Sequence, residues 1–446
     1  MGKMWIGLDD TDSTFAGGCT TYVAYLIISY LIKEGYVLIG YPRLVRLNPN
    51  IPWKTRGNGA VSFQIARRGR EKFLVGMNYG KKIYGYRNIE EDCDNHGEIF
   101  SQVKKILEEE ARLNDKNTNP GLVVSQKKIG YELYKKAVKG IVFLDEVTSL
   151  LDKNGALYIG YKNKRGLIGA AASIAWNPVF DKTYELITYR KKEKIGSKRE
   201  IDDDSVKIMD ETIKTTFDNY DYINKHNRIK PNSPCPVLYG IRGDDAEDLV
   251  KAMNIVKSEE FQGWIIFESN QATDEHLQKK EKIEDVKPFE SVIVKGTVYK
   301  EPFTITGGHV IFSIQDAYND TIDCAAYEPT KEFRNIIKKL RKGDIVEVYG
   351  GVREEPFTIN LEKIKILNVA KIVEKIENPV CEKCGKHMKS VGKRQGFRCI
   401  ICGAKAKREK AKFATIERKL SPGFYEVPVC ARRHLSKPLK RIMKEA

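Results

Sequence analysis

The sequence predicts a multidomain α+β protein: a kinase-like α/β module, a ferredoxin-like domain, an OB-fold β-barrel and a zinc ribbon. Three observations point there. Helix-period and strand-period apolar runs alternate as far as Phe267. Three strands, a helix and two more strands follow between Ser291 and Leu361, the order of an OB barrel. Two matching C-x-x-C pairs stand near the end of the chain. With 446 residues, 41% of them hydrophobic, there is material for roughly three or four cored domains. The expected divisions are 1–118, 119–278, 288–370 and 378–446, the first open to later strands.

Taken in order, Trp5-Ile-Gly-Leu is an apolar strand that runs into Asp9, Asp10 and Asp12. Gly17-Gly18-Cys19-Thr20 then leads into the buried helix Thr21 to Glu34, which stops at Gly35. A helix start presents outward amides that favour anions, and the glycines admit a phosphate to the backbone. Thr20 or Thr21 stands at the expected N-cap. Three carboxylates would repel each other and any phosphate unless a divalent cation lay between them, and Mg²⁺ suits carboxylates plus phosphate oxygens. The pattern therefore predicts a Mg-nucleotide site; the plainer reading is an acidic turn before a capped helix. No G-x-x-x-x-G-K-[ST] run is present, so a P-loop is excluded.

Val37 to Gly40 and Leu44 to Leu47 are expected as short strands, with Ala60 to Ile65 a third. Between them Lys54, Arg56, Gly57 and Gly59 make a basic, turn-rich loop that suits a phosphate or RNA contact and equally a plain hairpin connection. Ile99 to Leu113 is expected as an amphipathic helix, and Asn117 to Gly121 breaks the chain. Strands follow at Ile141 to Leu144, Leu157 to Gly160, Tyr184 to Tyr189, Val237 to Ile241 and Gly263 to Phe267. Helices are expected at Gly166 to Ala175, Asp203 to Asp218 and Val250 to Val256. Lys279 to Lys287 looks like a charged linker, and Lys331 to Arg341 like the barrel's helix.

Lys and Arg number 77 against 60 Asp and Glu, a net charge of +17 that fits a polyanionic partner. Of nine cysteines, five are scattered, and Cys381, Cys384, Cys399 and Cys402 form two knuckles, each followed by glycine. Four thiolates at this spacing predict structural Zn²⁺. Between Lys383 and Lys412 there are eleven Lys or Arg and one Glu, and Arg432-Arg433-His434 and Lys440-Arg441 continue the run. On a zinc ribbon behind an OB barrel, such a run predicts an RNA clamp, with Phe397, Phe424 and Tyr425 as stacking candidates. The start of the chain has no charged-then-apolar leader, and no apolar run approaches the length of a membrane span, so the expectation is a cytoplasmic protein with no membrane partner.

Together these segments resemble the archaeal tRNA-isoleucine 2-agmatinylcytidine synthetase family over essentially the whole chain. The residues that carry it are Gly7-Leu-Asp-Asp-Thr-Asp12-Ser with Gly18-Cys-Thr-Thr21, Pro42 to Pro49, Trp53 to Gly59 and Arg165-Gly-Leu-Ile-Gly-Ala170. Beyond these come Cys235 to Gly243, Asn270-Gln271 with Thr273 to His276, Ala326 to Thr330, the paired knuckles and Ala431 to Leu435. The resemblance implies an enzyme, a ligase with kinase-type chemistry. It implies ATP activation of the wobble cytidine of isoleucine tRNA with a CAU anticodon, then joining of agmatine to the base's second carbon. It also implies that Thr20 is autophosphorylated and that Asp9, Asp10 and Asp12 are the acidic catalytic residues and metal ligands. Thr11, Gly18, Cys19 and Thr21 are the expected ATP contacts. Lys393, Arg394, Arg398, Arg432, Arg433 and His434 are the expected tRNA contacts.

The chemistry agrees with the residues. A carbonyl oxygen leaves poorly, whereas a phosphorylated one leaves readily once an amine attacks, and phosphoryl transfer needs chiefly positioning and charge neutralisation. Agmatine is a dication in a basic protein, so a carboxylate pocket is expected among Asp145-Glu146, Asp202-Asp203-Asp204 or Asp244-Asp245. The competing functions are a non-catalytic tRNA-binding protein and a metal-dependent RNA nuclease built on the same carboxylates.

Overall fold

The structure, a computed structural model, describes residues 3–93, 95–178, 180–392 and 395–445. Lys393 and Arg394, two of the expected tRNA contacts, lie outside the described residues. Strand β1 (Met4–Asp9) leads through a loop to helix α1 (Thr20–Lys33), then β2 (Val37–Arg46), β3 (Gly59–Ala66), β4 (Arg68–Asn78), β5 (Lys81–Glu91) and α2 (His96–Glu110). Next come β6 (Gly121–Ser125), α3 (Tyr131–Lys139), α4 (Leu144–Asn154), β7 (Leu157–Gly160) and α5 (Gly166–Ala175). The following stretch holds β8 (Thr183–Arg190), α6 (Asp203–Thr212), β9 (Thr216–Phe217), the hairpin β10 (Tyr220–Asp221) and β11 (His226–Asn227), β12 (Val237–Gly243), α7 (Ala246–Ile255) and β13 (Phe261–Ser269).

One sheet runs β7-β6-β1-β3-β2-β5-β4-β13-β8-β12-β9 through both of these segments. Period-two alternation explains its centre. Met4, Ile6 and Leu8 of β1 face one way, into a core with Tyr22 to Leu31 of α1 and Ile99, Val103 and Leu107 of α2. Trp5 faces the other, against Leu167 and Ala171 of α5. Gly7 shares that second face because a Cβ there would meet the Ala170 backbone. The same parity sends Asp9 toward α5. On strands β8, β12 and β13, Leu186, Leu238, Ile241, Trp264 and Ile266 meet Val206, Met209, Leu249 and Met253 of α6 and α7, a helix layer over an antiparallel sheet.

Several expectations change. The two short strands at 37–40 and 44–47 are one bent strand, its register shifting between Ile39 and Arg43 beside Gly40 (φ +69°). Beyond the bend, Arg43 and Leu44 pair with Glu268 and Ser269, which joins the two halves of the sheet. Ile141 to Leu144 is not a strand: Leu144 begins α4, where Asp145 and Glu146 suit a first helical turn. Helix α6 ends at Thr212, and Thr216–Phe217 becomes an edge strand. The β4–β5 hairpin, absent from the sequence reading, turns at Tyr79 and Gly80, both at positive φ.

The barrel comprises β14 (Leu277–Lys280), β15 (Ser291–Thr304), β16 (Val310–Gln315), β17 (Thr321–Ala326), the short helix α8 (Phe333–Ile337), β18 (Ile345–Arg353) and β19 (Thr358–Asn368). It closes β15-β16-β17-β19-β18 with β18 back on β15, and β17 pairs β19 in parallel, as the OB order requires. Part of the expected linker is therefore strand β14. The ribbon adds β20 (Ile372–Glu377), β21 (Lys389–Ser390), β22 (Phe397–Arg398), β23 (Lys405–Ala406) and β24 (Lys412–Ile416). Strand β25 (Gly423–Glu426) returns to the barrel and pairs β19, and α9 (Leu439–Glu445) closes the chain. Among the described residues no helix is long and apolar enough to cross a membrane.

Candidate functional site

The acidic turn after β1 is held from several sides. Asp10 adopts φ +55°, and its carboxylate accepts from the Asn119 amide at 3.0 Å, Arg165 Nε at 2.9 Å and the Thr55 hydroxyl at 2.5 Å. Asp12 is paired with Arg56, whose guanidinium also donates to the Gly18 carbonyl at 2.9 Å and Ser233 Oγ at 2.8 Å. Asp9 accepts the Asp10 amide at 2.7 Å and has no ion pair among the described residues. Burial pushes the Asp9 carboxyl well above the usual carboxylate range, and the neighbouring Asp10 charge adds to it. Burial raises Asp12 as well, against the pull of Arg56.

Gly17 and Gly18 both stand at positive φ (+73° and +82°), and the Ser13 amide closes the turn onto the Gly17 carbonyl at 2.7 Å. The N-cap of α1 is Cys19, not Thr20 or Thr21: its carbonyl accepts the Tyr22 and Val23 amides, which leaves both threonines in the first turn. Thr11 Oγ1 lies 3.1 Å from Thr20 Oγ1, and Cys19 Sγ lies 3.0 Å from Thr21 Oγ1. Thus the structure brings Asp9, Asp10, Thr11, Asp12, Gly18, Cys19, Thr20 and Thr21 to one turn. Helix α5 is tight against it, because a Cβ on Gly169 would overlap the Asp9 carboxylate.

This turn forms one end of a cavity of about 430 Å³, in the range of a small-ligand site. Asp9, Asp10, Asp12, Cys19, Thr20 and Thr21 line it, together with the basic 53–59 loop. Its far wall holds Arg46, Glu185, Arg228 and Arg242; Arg46 and Arg242 fall in the Pro42 to Pro49 and Cys235 to Gly243 segments of the resemblance, Glu185 and Arg228 in none of them. They come from distant segments, and no local spacing marks them. His434 lines the same wall. The three acidic clusters expected for agmatine are absent from the lining, where Glu185 is the carboxylate outside the acidic turn. Asp202 and Asp245 instead cap α6 and α7, Glu146 pairs with Lys136, and Asp244 holds Arg441 and Lys444.

In the ribbon, the four cysteine sulfurs lie within 4.8 Å of one another and are the converging metal-ligand group among the described residues. Each knuckle repeats the same bonds: Gly385 N to Cys381 O at 2.8 Å and Gly403 N to Cys399 O at 3.0 Å. Amides of Cys402 and Ile401 lower the Cys399 thiol to about 7, toward the thiolate that a metal needs. The donor set fits tetrahedral zinc. Arg398 is exposed on β22, while Phe397 is buried beneath Lys375 and offers no face for stacking. Farther on, Arg432 is paired with Asp218 and Glu426, and Arg433 donates to Asn50 at 2.7 Å and Glu362 at 3.2 Å.

An acidic strand end beside a helix N-terminus, in a chain that also carries an OB barrel and a thiol-rich ribbon, defines a class of protein that brings a phosphate-handling pocket to a nucleic-acid-binding scaffold. Residues 5–163 match the family described as "TiaS TCKD domain", 164–276 "TiaS FLD domain" and 378–420 "TiaS C-terminal zinc ribbon domain"; 292–367 match "OB-fold nucleic acid binding domain". The chain belongs to the TiaS family. It is 45% identical to the isoleucine-tRNA 2-agmatinylcytidine synthetase TiaS of Archaeoglobus fulgidus, over 99% of this chain and 98% of that one. The protein of the same description from Methanocaldococcus jannaschii is also 45% identical, over 99% of each. Among solved structures, a complex of TiaS with its isoleucine tRNA and ATP superposes with a TM-score of 0.86 at 43% identity, covering 99% of this chain and 98% of that one. A complex of TiaS with the same tRNA, AMPCPP and agmatine gives 0.83 at 40%, with the same coverage.

Proposed function

We propose that this chain is an ATP-dependent ligase that joins agmatine to the second carbon of the wobble cytidine in isoleucine tRNA with a CAU anticodon. The observation that carries it is the cavity in which the acidic turn, the start of α1 and the C-terminal segment meet, in a chain alignable along its length with isoleucine-tRNA agmatinylcytidine synthetases. Its chemistry divides in two. The cytosine carbonyl oxygen takes a phosphoryl group from ATP, and the P–O bond to the nucleotide breaks. The agmatine amine then attacks the second carbon, losing a proton, and phosphate leaves with the oxygen. A base in the anticodon loop can be turned out into such a cavity.

Within this reading, the first turn of α1 and Gly18 receive the ATP phosphates, with Thr11, Cys19 and Thr21 around them. Thr20 is the residue that becomes phosphorylated. Asp10 and Asp12 hold Arg165 and Arg56, so Asp9 is the carboxylate best placed to meet a Mg²⁺ that arrives with ATP. Bound there, such an ion would supply neutralisation of phosphate charge. Zinc holds the ribbon together, and exposed Arg398 faces RNA. The ion pairs of Arg432 and Arg433 support a bracing task for both, and His434 belongs to the cavity wall. We place the reaction in the cytoplasm, and the domains at 1–118 with later strands, 119–278, 288–370 and 378–446. A nuclease or a passive RNA-binding protein leaves the helix N-terminus at the cavity without a task.

The test is mass analysis of nucleosides from CAU-anticodon tRNA after incubation with ATP, Mg²⁺ and agmatine. The expected result is one cytidine replaced by its agmatine adduct, dependent on both small molecules. Intact, unmodified tRNA, or tRNA shortened without ATP, would refute it.

A further inference from the structure

The cavity carries more positive charge than the acidic turn can balance. Seven cationic side chains line it (Arg46, Lys54, Arg56, Arg165, Arg228, Lys230 and Arg242) against four carboxylates. Arg56 is taken by Asp12, Arg165 by Asp10, and Arg242 by Glu185 at 3.3 Å. Lys54 is engaged by the Pro49 and Ile51 carbonyls, at 2.7 and 3.1 Å. Arg46, Arg228 and Lys230 remain without an ion pair among the described residues, and Arg46 and Arg228 stand with Arg242 around His434.

This wall is built, not incidental. The Arg46 backbone is clamped by Asn270, which accepts the Arg46 amide at 2.7 Å and donates to its carbonyl at 2.8 Å. A Cβ on Gly57 or Gly59 would come within 3.0 or 2.8 Å of Arg46 Nη1, so the loop's glycines leave the space that the guanidinium occupies. The His434 carbonyl accepts the Ala272 amide at 2.7 Å, which fixes the imidazole close to Gly57. Two polar atoms in this cluster, Arg46 Nε and His434 Nδ1, are buried and have no hydrogen-bond partner. Unsatisfied buried donors cost stability unless a ligand completes them.

Burial and neighbouring charges shift these groups together, with Glu185 opposing burial and Arg242 at Arg46. Arg46, chiefly by burial, is lowered to about 10; burial and Arg242 lower Arg228; and Arg46, burial, Arg242 and Arg228 hold His434 far below the ordinary histidine range. On the sheet, Arg46 pairs with Gly59 of β3, and β3 separates β2 from β1, so the Arg46 and Asp9 backbones are about two strand spacings, roughly 10 Å, apart. A phosphate seated among Arg46, Arg228 and Arg242 sits across β3 from Asp9, within the electrostatic reach of Asp12 and Cys19.

We propose that Arg46, Arg228, Arg242 and His434 form a second phosphate subsite of the cavity, across β3 from Asp9, which binds a phosphate without a metal ion. This rests on the reading of the cavity as the reaction site, and it adds a ligand class to its far wall. The same chemistry serves two sources: a phosphate of the nucleotide that is not transferred, or the backbone phosphodiester of the nucleotide turned into the cavity.

The test uses the full-length zinc-loaded protein, with Arg228→Gln removing one charge and Arg228→Lys restoring it. Inorganic pyrophosphate is titrated in magnesium-free buffer, MgATP without tRNA, and CAU-anticodon tRNA without ATP. Arg228→Gln should weaken pyrophosphate by about 10- to 100-fold, the effect of losing a charged hydrogen-bonding partner, and Arg228→Lys should recover part of it. A matching loss in the MgATP arm assigns the subsite to the nucleotide. Loss in the tRNA arm, with the salt slope reduced by about one, assigns it to the RNA backbone. Equal binding by wild type and Arg228→Gln in all three titrations, with thermal unfolding unchanged, overturns the proposal. Nucleoside analysis of the wild-type reaction separates the two readings, because adduct formation stands or falls whatever Arg228→Gln does.

Discussion

Replacing Gly169 by alanine isolates the contact between helix α5 and Asp9. A Cβ at this position would overlap the Asp9 carboxylate, so either the carboxylate or the helix must shift. Gly169 has an ordinary helical backbone, and alanine there gains about 1 kcal/mol of helix propensity. Overpacking costs about 1–3 kcal/mol, so the net change in stability is a loss of about 0–2 kcal/mol. Activity has no such offset: a displacement of about 1 Å at a phosphate-handling carboxylate costs about 100-fold in rate. The assay is the initial rate of nucleoside adduct formation under saturating ATP, agmatine and tRNA, with thermal unfolding measured alongside. Gly97 supplies the control, since it lies in helix α2 with open space around its missing Cβ. Gly97→Ala should leave the rate unchanged and stability equal or slightly higher. If Gly169→Ala keeps a rate within about twofold of wild type, the approach of α5 does not position Asp9 and the reasoning fails.

Other predictions follow from separate parts of the molecule. Thr20→Ala should abolish self-labelling with γ-labelled ATP while Thr21→Ala retains it; equal labelling in Thr20→Ala rejects Thr20 as the acceptor. Stripping zinc with a chelator should unfold the ribbon and weaken tRNA binding but leave ATP binding intact, because the thiols are remote from the cavity lining. Unchanged tRNA affinity in the metal-free protein would contradict this. Burial alone would raise the Glu362 carboxyl, yet His276, Arg433 and Lys363 hold it at about 2. A carboxyl lowered on folding stabilises above its unfolded pKa, near 4.5, and that contribution, of order 3 kcal/mol, is lost as pH falls from about 5 to 2. Glu362→Gln should therefore lower stability at pH 7 and flatten the acid limb of the unfolding curve; an acid limb as steep as wild type would refute the assignment.

Features set by neighbours in sequence were legible. The run from Trp5 to Asp12 announces a strand and an acidic turn because parity and charge are local properties. The cysteine knuckles, separated by a short spacer, declare their ligand set in the same way. Cys19 escaped as the N-cap because its carbonyl, not its side chain, does the capping. Ile141 to Leu144 has strand composition, but Asp145 and Glu146 pull Leu144 into a helix. Arg46, Arg242 and His434 stand in segments that carry the resemblance, but that they form one wall with Glu185 could not be read from spacing, since they converge only after β2, β8, β12 and the tail are assembled. The charge run near the end misled in part for the same reason. Arg432 and Arg441 find Asp218, Glu426, Asp181 and Asp244, partners scattered through the sequence, and use their charge inside the protein.

That internal use of charge bears on how RNA binding reaches the chemistry. The segment carrying His434 is tied on one side to the sheet, through the Ala272 and Asp274 amides on the His434 and Leu435 carbonyls at 2.7 and 2.9 Å. On the other side it is tied to the barrel, where Arg433 meets Glu362, and buried Lys363 of β19 donates to both Asp274 at 2.6 Å and the Lys437 carbonyl at 2.8 Å. Removing one partner of a buried ion pair costs about 3–5 kcal/mol, so this junction resists partial opening. A barrel that tilts under a bound tRNA must carry β19 with it, and β19 carries the tail that forms the cavity wall. The barrel and the His434 side of the cavity are therefore joined through buried ion pairs and backbone hydrogen bonds.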